Sequence, residues 1–125
     1  MKTIETCRAE LKLHRTPITV KTKRELKFSK DPETACVIPE GTEINLYFSE
    51  ARPWRAYFDY NGSLRATDLR YSHKSYTKLR KPPGQKALEN MAMDGVAKTV
   101  TGFRTEPDGI GEDGSPSWLL VIGVI

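Results

Sequence analysis

The chemistry-bearing groups of this chain are a cluster of carboxylates, two histidines, two cysteines and one basic run. The carboxylates are Glu106, Asp108, Glu112 and Asp113, in the glycine-rich stretch EPDGIGEDG. Oxygens on a flexible loop are the donors that Ca²⁺ or Mg²⁺ takes. Their spacing is not that of an EF-hand, which needs acids at alternating positions and a distal Glu. The plainer reading is a polar hairpin loop in which Asp-Gly pairs supply the turns. His14 and His73 lie far apart, and neither has a Cys or second His at zinc-ligand spacing. Cys7 has no evident base partner, Ser115 and Ser117 lack a nucleophile elbow, and the glycines lie among acids that would repel phosphate. These patterns predict no catalytic residue, no metal and no cofactor, hence a non-enzymatic protein.

The stretch Arg70–Lys86, RYSHKSYTKLRKPPGQK, is the strongest functional signal. It carries Arg70, Lys74, Lys78, Arg80, Lys81 and Lys86 with no acid, and Tyr71 and Tyr76 interleave with them. Such a run meets phosphates favourably, and a tyrosine ring can stack on an exposed base. Arg52 and Arg55, flanking Trp54, extend the patch from a neighbouring loop. The competing reading is a set of solvated charges on a surface segment. Trp54 and Trp118 are expected in the core.

The elements that must position these groups are mostly strands. In Val37–Leu69, residues Trp54, Ala56, Phe58 and Tyr60 alternate with Arg55, Tyr57 and Asp59, the period of a strand. Asn61-Gly62 follows, the pair that best tolerates the two positive φ angles of a type I′ hairpin. Pro39-Glu40-Gly41-Thr42 is a turn leading into a strand at Ile44–Phe48. Ser49–Pro53 is a loop. Upstream, Ile18, Val20, Leu26 and Phe28 share a parity, consistent with one long or bulged strand. A turn at Ser29–Pro32 and a short strand at Thr34–Ile38 follow. Residues 3–13 fit a short helix capped by Thr3, although Cys7, Ala9, Leu11 and Leu13 also alternate.

Within the basic run, Ser72–Leu79 has room for one or two helical turns, and Pro82-Pro83-Gly84 ends any helix. Gln85–Asp94 carries an apolar stripe of Ala87, Leu88, Met91 and Ala92, with Gly95 placed to end it. Val96–Arg104 and Ser117–Ile125 read as two closing strands, the second nearly all apolar and therefore central, buried on both faces. The fold class is mainly β within α+β: a small SH3-like barrel or meander, one short helix in the C-terminal half, and a closing C-terminal β-hairpin. The 125 residues suit a single domain, barrel-like over 17–69, a basic linker over 70–86, and a helix plus hairpin over 85–125.

Twenty basic and sixteen acidic residues give a formal charge of +4, which permits nucleic-acid binding without requiring it. No apolar run reaches membrane-spanning length, and the N-terminus lacks the apolar centre of a secretory signal. Two cysteines are too few for a disulfide framework, so free thiols in a cytoplasmic setting are expected.

The runs DGVAKTVTGFRTEPDG and EDGSPSWLLVIGVI resemble the endings of small uncharacterised proteins carried by phages, plasmids and other mobile elements. The Pro-Glu-Gly-Thr turn and the meander resemble an SH3-like barrel, a fold that carries little functional weight. The first resemblance implies an accessory protein with one of two partners. One is DNA or RNA, met through the basic surface. The other is a nucleic-acid-binding host protein complex, such as a defence nuclease inhibited in anti-CRISPR-like fashion. Oligomeric state is not legible in the sequence.

Overall fold

Helix α1 (Ile4–Leu11) begins where Thr3 caps it. Thr6 N donates to Thr3 Oγ1 at 3.4 Å, and Thr3 N donates to Thr6 Oγ1 at 2.8 Å. That reciprocal box satisfies amides that a first turn leaves unpaired. Helical spacing wins over the competing alternation: Ile4, Cys7 and Leu11 are buried, while Ala9 faces solvent. The computed structural model describes residues 2–28 and 35–123. The expected turn at Ser29–Pro32 lies outside the described residues.

Strands β1 (Ile18–Lys21), β2 (Leu26–Phe28), β3 (Cys36–Ile38), β4 (Glu43–Phe48), β5 (Arg55–Tyr60) and β6 (Ser63–Asp68) follow. A four-stranded antiparallel sheet has the order β1-β4-β5-β6, and β2 pairs with β3 as a separate ribbon. The meander β4-β5-β6 is therefore as read, and among the described residues no pairing joins β6 to β1 to close it. Asn61 and Gly62 take φ of 52° and 75°, with Tyr60 opposite Ser63, which is the type I′ geometry. Gly41 takes φ of 83° in the turn before β4.

The single strand expected over Ile18–Phe28 is instead broken at Thr22. The Thr22 hydroxyl donates to Pro39 O at 2.7 Å and accepts from Thr42 N at 3.0 Å. The chain turns there, and the ribbon lays Phe28 across the inner face of the sheet, edge-on to Phe58 at 6.2 Å. On the outer face Tyr57 packs with Ile4, Cys7, Leu11 and Leu13. Strand β5 is thus covered on both sides. Trp54, expected in the core, stands just before β5 and is 37% exposed.

Helix α2 (Gln85–Asp94) matches the predicted bounds, ending at Gly95 with φ of 70°. Its buried stripe is narrower than expected: Leu88 and Met91 lean on the core, whereas Ala87 and Ala92 face solvent. The two closing strands need correction. The chain reverses at Thr99–Gly102, so Val96–Arg104 is not one strand. It supplies the hairpin itself, as β7 (Ala97–Lys98) and β8 (Arg104–Thr105). The run read as a central strand from Ser117 is helix α3 (Trp118–Ile122); Val124 and Ile125 lie outside the described residues. Leu119 N donates to Ser117 Oγ at 3.0 Å, and Gly123 closes the helix with φ of 84°. A short, wholly apolar run has no periodicity to separate strand from buried helix, so the caps decide.

The main core joins Val20, Leu46, Phe48 and Phe58 of the sheet to Leu69, Tyr76 and Leu79, and to Val100, Trp118 and Val121. The basic stretch is therefore pinned to the core at two points while its cations face out.

Candidate nucleic-acid interface

The chain leaves β6 at Asp68 and makes a tight 3-10 turn over Ser72–Lys74. Ser72 Oγ donates to Asp68 O at 2.6 Å, and Ser75 N donates to Ser72 O at 2.9 Å. The segment then runs beside β1: Lys23 N donates to Ser75 O at 2.7 Å, and Thr77 N to Lys21 O at 2.9 Å. These bonds bring cations from distant parts of the sequence together. Lys23 Nζ donates to His73 O at 3.1 Å, and Arg24 Nε donates to Ser75 Oγ at 3.1 Å.

His73 lies at the centre of this group. Its Nδ1 is buried and has no hydrogen-bond partner among the described residues. Partial burial pushes the imidazole below its ordinary value of 6.5, and Lys74, Lys81 and Lys23 push it the same way by repulsion. Among the described residues the ion pairs are Arg8–Glu5 and Arg70–Asp68, so Lys23, Lys74 and Lys81 face no carboxylate at ion-pair distance.

The other predicted residues divide. Arg70 is neutralised by Asp68, whose carboxylate accepts from Arg70 Nη2 at 2.6 Å and from Nε at 3.0 Å. These bonds hold the Asp68 carboxyl below its ordinary range. The pairing was invisible within the run because Asp68 stands two residues before it. Tyr71 is 62% exposed, with the Arg70 guanidinium 5.7 Å from its ring centre. Arg55 pairs across the sheet with Asp68, and Arg55 N donates to Arg52 O at 3.0 Å. Leu69 N bonds Trp54 O at 2.8 Å, so Arg52, Trp54 and Arg55 share one end of the sheet with Arg70 and Tyr71.

Tyr76 does not serve as a stacking ring. It is 2% exposed, edge-on to Phe58 at 6.2 Å, and burial pushes its phenol up to about 12. Lys78 and Arg80 turn away to a different groove, Arg80 lying against Gly102. Lys86 is exposed in the first turn of α2. The sequence reading missed Lys23 and Arg24. Their signal is present, since Lys21, Lys23 and Arg24 are three cations in four residues, but only the pairing with Ser75–Thr77 makes them neighbours of Lys74.

The acidic loop folds on itself. Thr101 Oγ1 donates to Asp113 Oδ2 at 2.6 Å, and Ser115 N to Asp113 Oδ1 at 3.0 Å. No group of three His, Cys, Asp or Glu side chains fit to hold a metal ion occurs among the described residues. Ser115 and Ser117 are fully buried, and Cys7 lies on the buried face of α1 against Tyr57. His14 Nδ1 is 2.9 Å from Thr16 O, and no hydrogen bond joins it to Cys7, Asp113 or Ser115. No described helix is long and apolar enough to cross a membrane. Compared with protein-family models, curated proteins and solved structures, the chain finds no match.

Proposed function

We propose that this protein is a non-enzymatic nucleic-acid-binding factor, with the phosphate backbone held against Lys23, Lys74 and Lys81. Arg24, Arg52 and Arg55 extend the positive surface, and Tyr71 offers a ring on which a base can stack. The observation that carries the reading is the convergence of three lysines around His73 with no carboxylate at ion-pair distance among the described residues. Exposed cations without an ion-pair partner attract polyanions because binding releases condensed counterions. The role of accessory factor to a phage or other mobile element rests on the resemblance of the C-terminal end. Free Cys7 and Cys36 suit work in the cytoplasm.

The test is charge reversal of Lys23, Lys74 and Lys81 together to Glu. All three are exposed, so the variant should melt like the parent and lose binding to labelled DNA and RNA. Undiminished binding by the folded triple variant would refute the assignment.

A further inference from the structure

The outer edge of β1 is only partly covered. Lys21 and Lys23 direct their backbone groups away from β4 and pair with the segment Ser75–Thr77. By strand alternation the Thr19 N–H and C=O face the same outer side, while Ile18, Val20 and Thr22 face β4. The covering segment leaves before it reaches Thr19. Lys78 takes φ of 69°, a left-handed turn that lifts the chain off the edge, and Arg80 N goes instead to Val100 O at 2.8 Å. Among the described residues nothing bonds to the Thr19 N–H or C=O. Thr19 is exposed, and its side chain is turned to Asn45 Oδ1 at 3.0 Å.

That bare edge lines a groove of about 540 Å³, with Pro17, Ile18, Lys78, Arg80, Thr101, Phe103 and Asp113 around it. An unpaired edge is a template for another strand, and proteins ordinarily block it. Here the surroundings favour a visitor. Phe103 is 42% exposed and gives an apolar side chain a surface. Lys78 and Arg80 have no ion-pair partner among the described residues. Asp113, the one acid present, already accepts from Thr101 and Ser115. Pro17 has no N–H, which limits pairing at that end to its carbonyl.

We infer that this groove binds an extended acidic peptide segment of a partner protein, added as a strand to the outer edge of β1 at Thr19. Main-chain pairing with Thr19 supplies the register, and Lys78 and Arg80 select for acids. The inference uses residues other than those of the lysine cluster and does not rest on nucleic-acid binding. The two surfaces together would make the protein an adaptor.

The experiment uses the full ¹⁵N-labelled chain and a blocked heptapeptide alternating glutamate with valine. Saturable binding is expected. With peptide at ten times its Kd, hydrogen exchange at the Thr19 amide should slow by about tenfold, because only the free fraction exchanges. Replacing the glutamates with lysine, or making Lys78→Glu with Arg80→Glu, should weaken binding by at least about tenfold. If the double variant fails to fold, the exchange result and the lysine peptide still decide. Four results would overturn the inference: no saturable binding, binding that leaves Thr19 exchange unchanged, equal affinity for the lysine peptide, or Thr19 protection that grows with protein concentration alone.

Discussion

Tyr71 and Tyr76 are five residues apart in the same basic run, and the structure gives them opposite surroundings, the first exposed and the second buried. Tyr76→Ala should cost about 3–5 kcal/mol, the range for deleting a buried aromatic, and show as a lower denaturation midpoint. Tyr71→Ala should leave the midpoint alone and weaken single-stranded ligands by about 1–3 kcal/mol in a binding titration. Composition could not separate the two rings. What separates them is the Thr22–Tyr76 bridge, a contact across more than fifty residues that no local pattern records. Trp54 illustrates the same limit: its parity matched Ala56 and Phe58, yet it stands outside the paired strand and is partly exposed.

His73 makes a pH prediction with a definite sign. In the free protein burial and the lysines hold its imidazole below 6.5. The stability this contributes is present above about pH 6.5 and is lost as pH falls through the folded value. A bound phosphate backbone would offset the lysine repulsion, so the imidazole value rises on binding and a proton is taken up. Affinity for nucleic acid should therefore increase as pH falls below about 6.5, and His73→Gln should flatten that dependence. A parent protein whose affinity does not change across that range would contradict the placement of His73 beside the ligand.

At the level of elements, the sequence was most legible where a turn dictates backbone geometry. Asn61-Gly62 required two positive φ angles and has them. Gly62→Val should accordingly cost at least about 1 kcal/mol, read from a denaturant midpoint. It was least legible where an apolar run could serve either period. Trp118–Ile122 became a helix because Ser117 and Gly123 cap it, and those caps bracket a segment too short to show amphipathicity. Ser117→Ala removes both the cap and a 2.6 Å bond to Pro107 O. It should lower stability by about 1–2 kcal/mol, measured by thermal or chemical melting. The β1–β2 break was unreadable for a related reason, since the Thr22 hydroxyl that bends the chain bonds to a turn seventeen residues on.

Across the whole molecule, charge is sorted rather than merely abundant. A formal excess of +4 would mean little if spread evenly. Arg70, the first cation of the basic run, is neutralised by its neighbour, and Lys78 and Arg80 serve another groove. The remaining run cations near His73 gain Lys23 and Arg24 from β1's end, a local concentration of cations from two parts of the chain. The most direct test of that concentration is a titration of labelled single- and double-stranded DNA and RNA at about 50 and 200 mM salt, the range over which phosphate contacts lose affinity by orders of magnitude. The account predicts saturable binding at the lower salt, weakened steeply at the higher, with the slope reduced in the Lys23, Lys74 and Lys81 charge-reversal variant. No binding at the lower salt, or binding indifferent to salt, would contradict it.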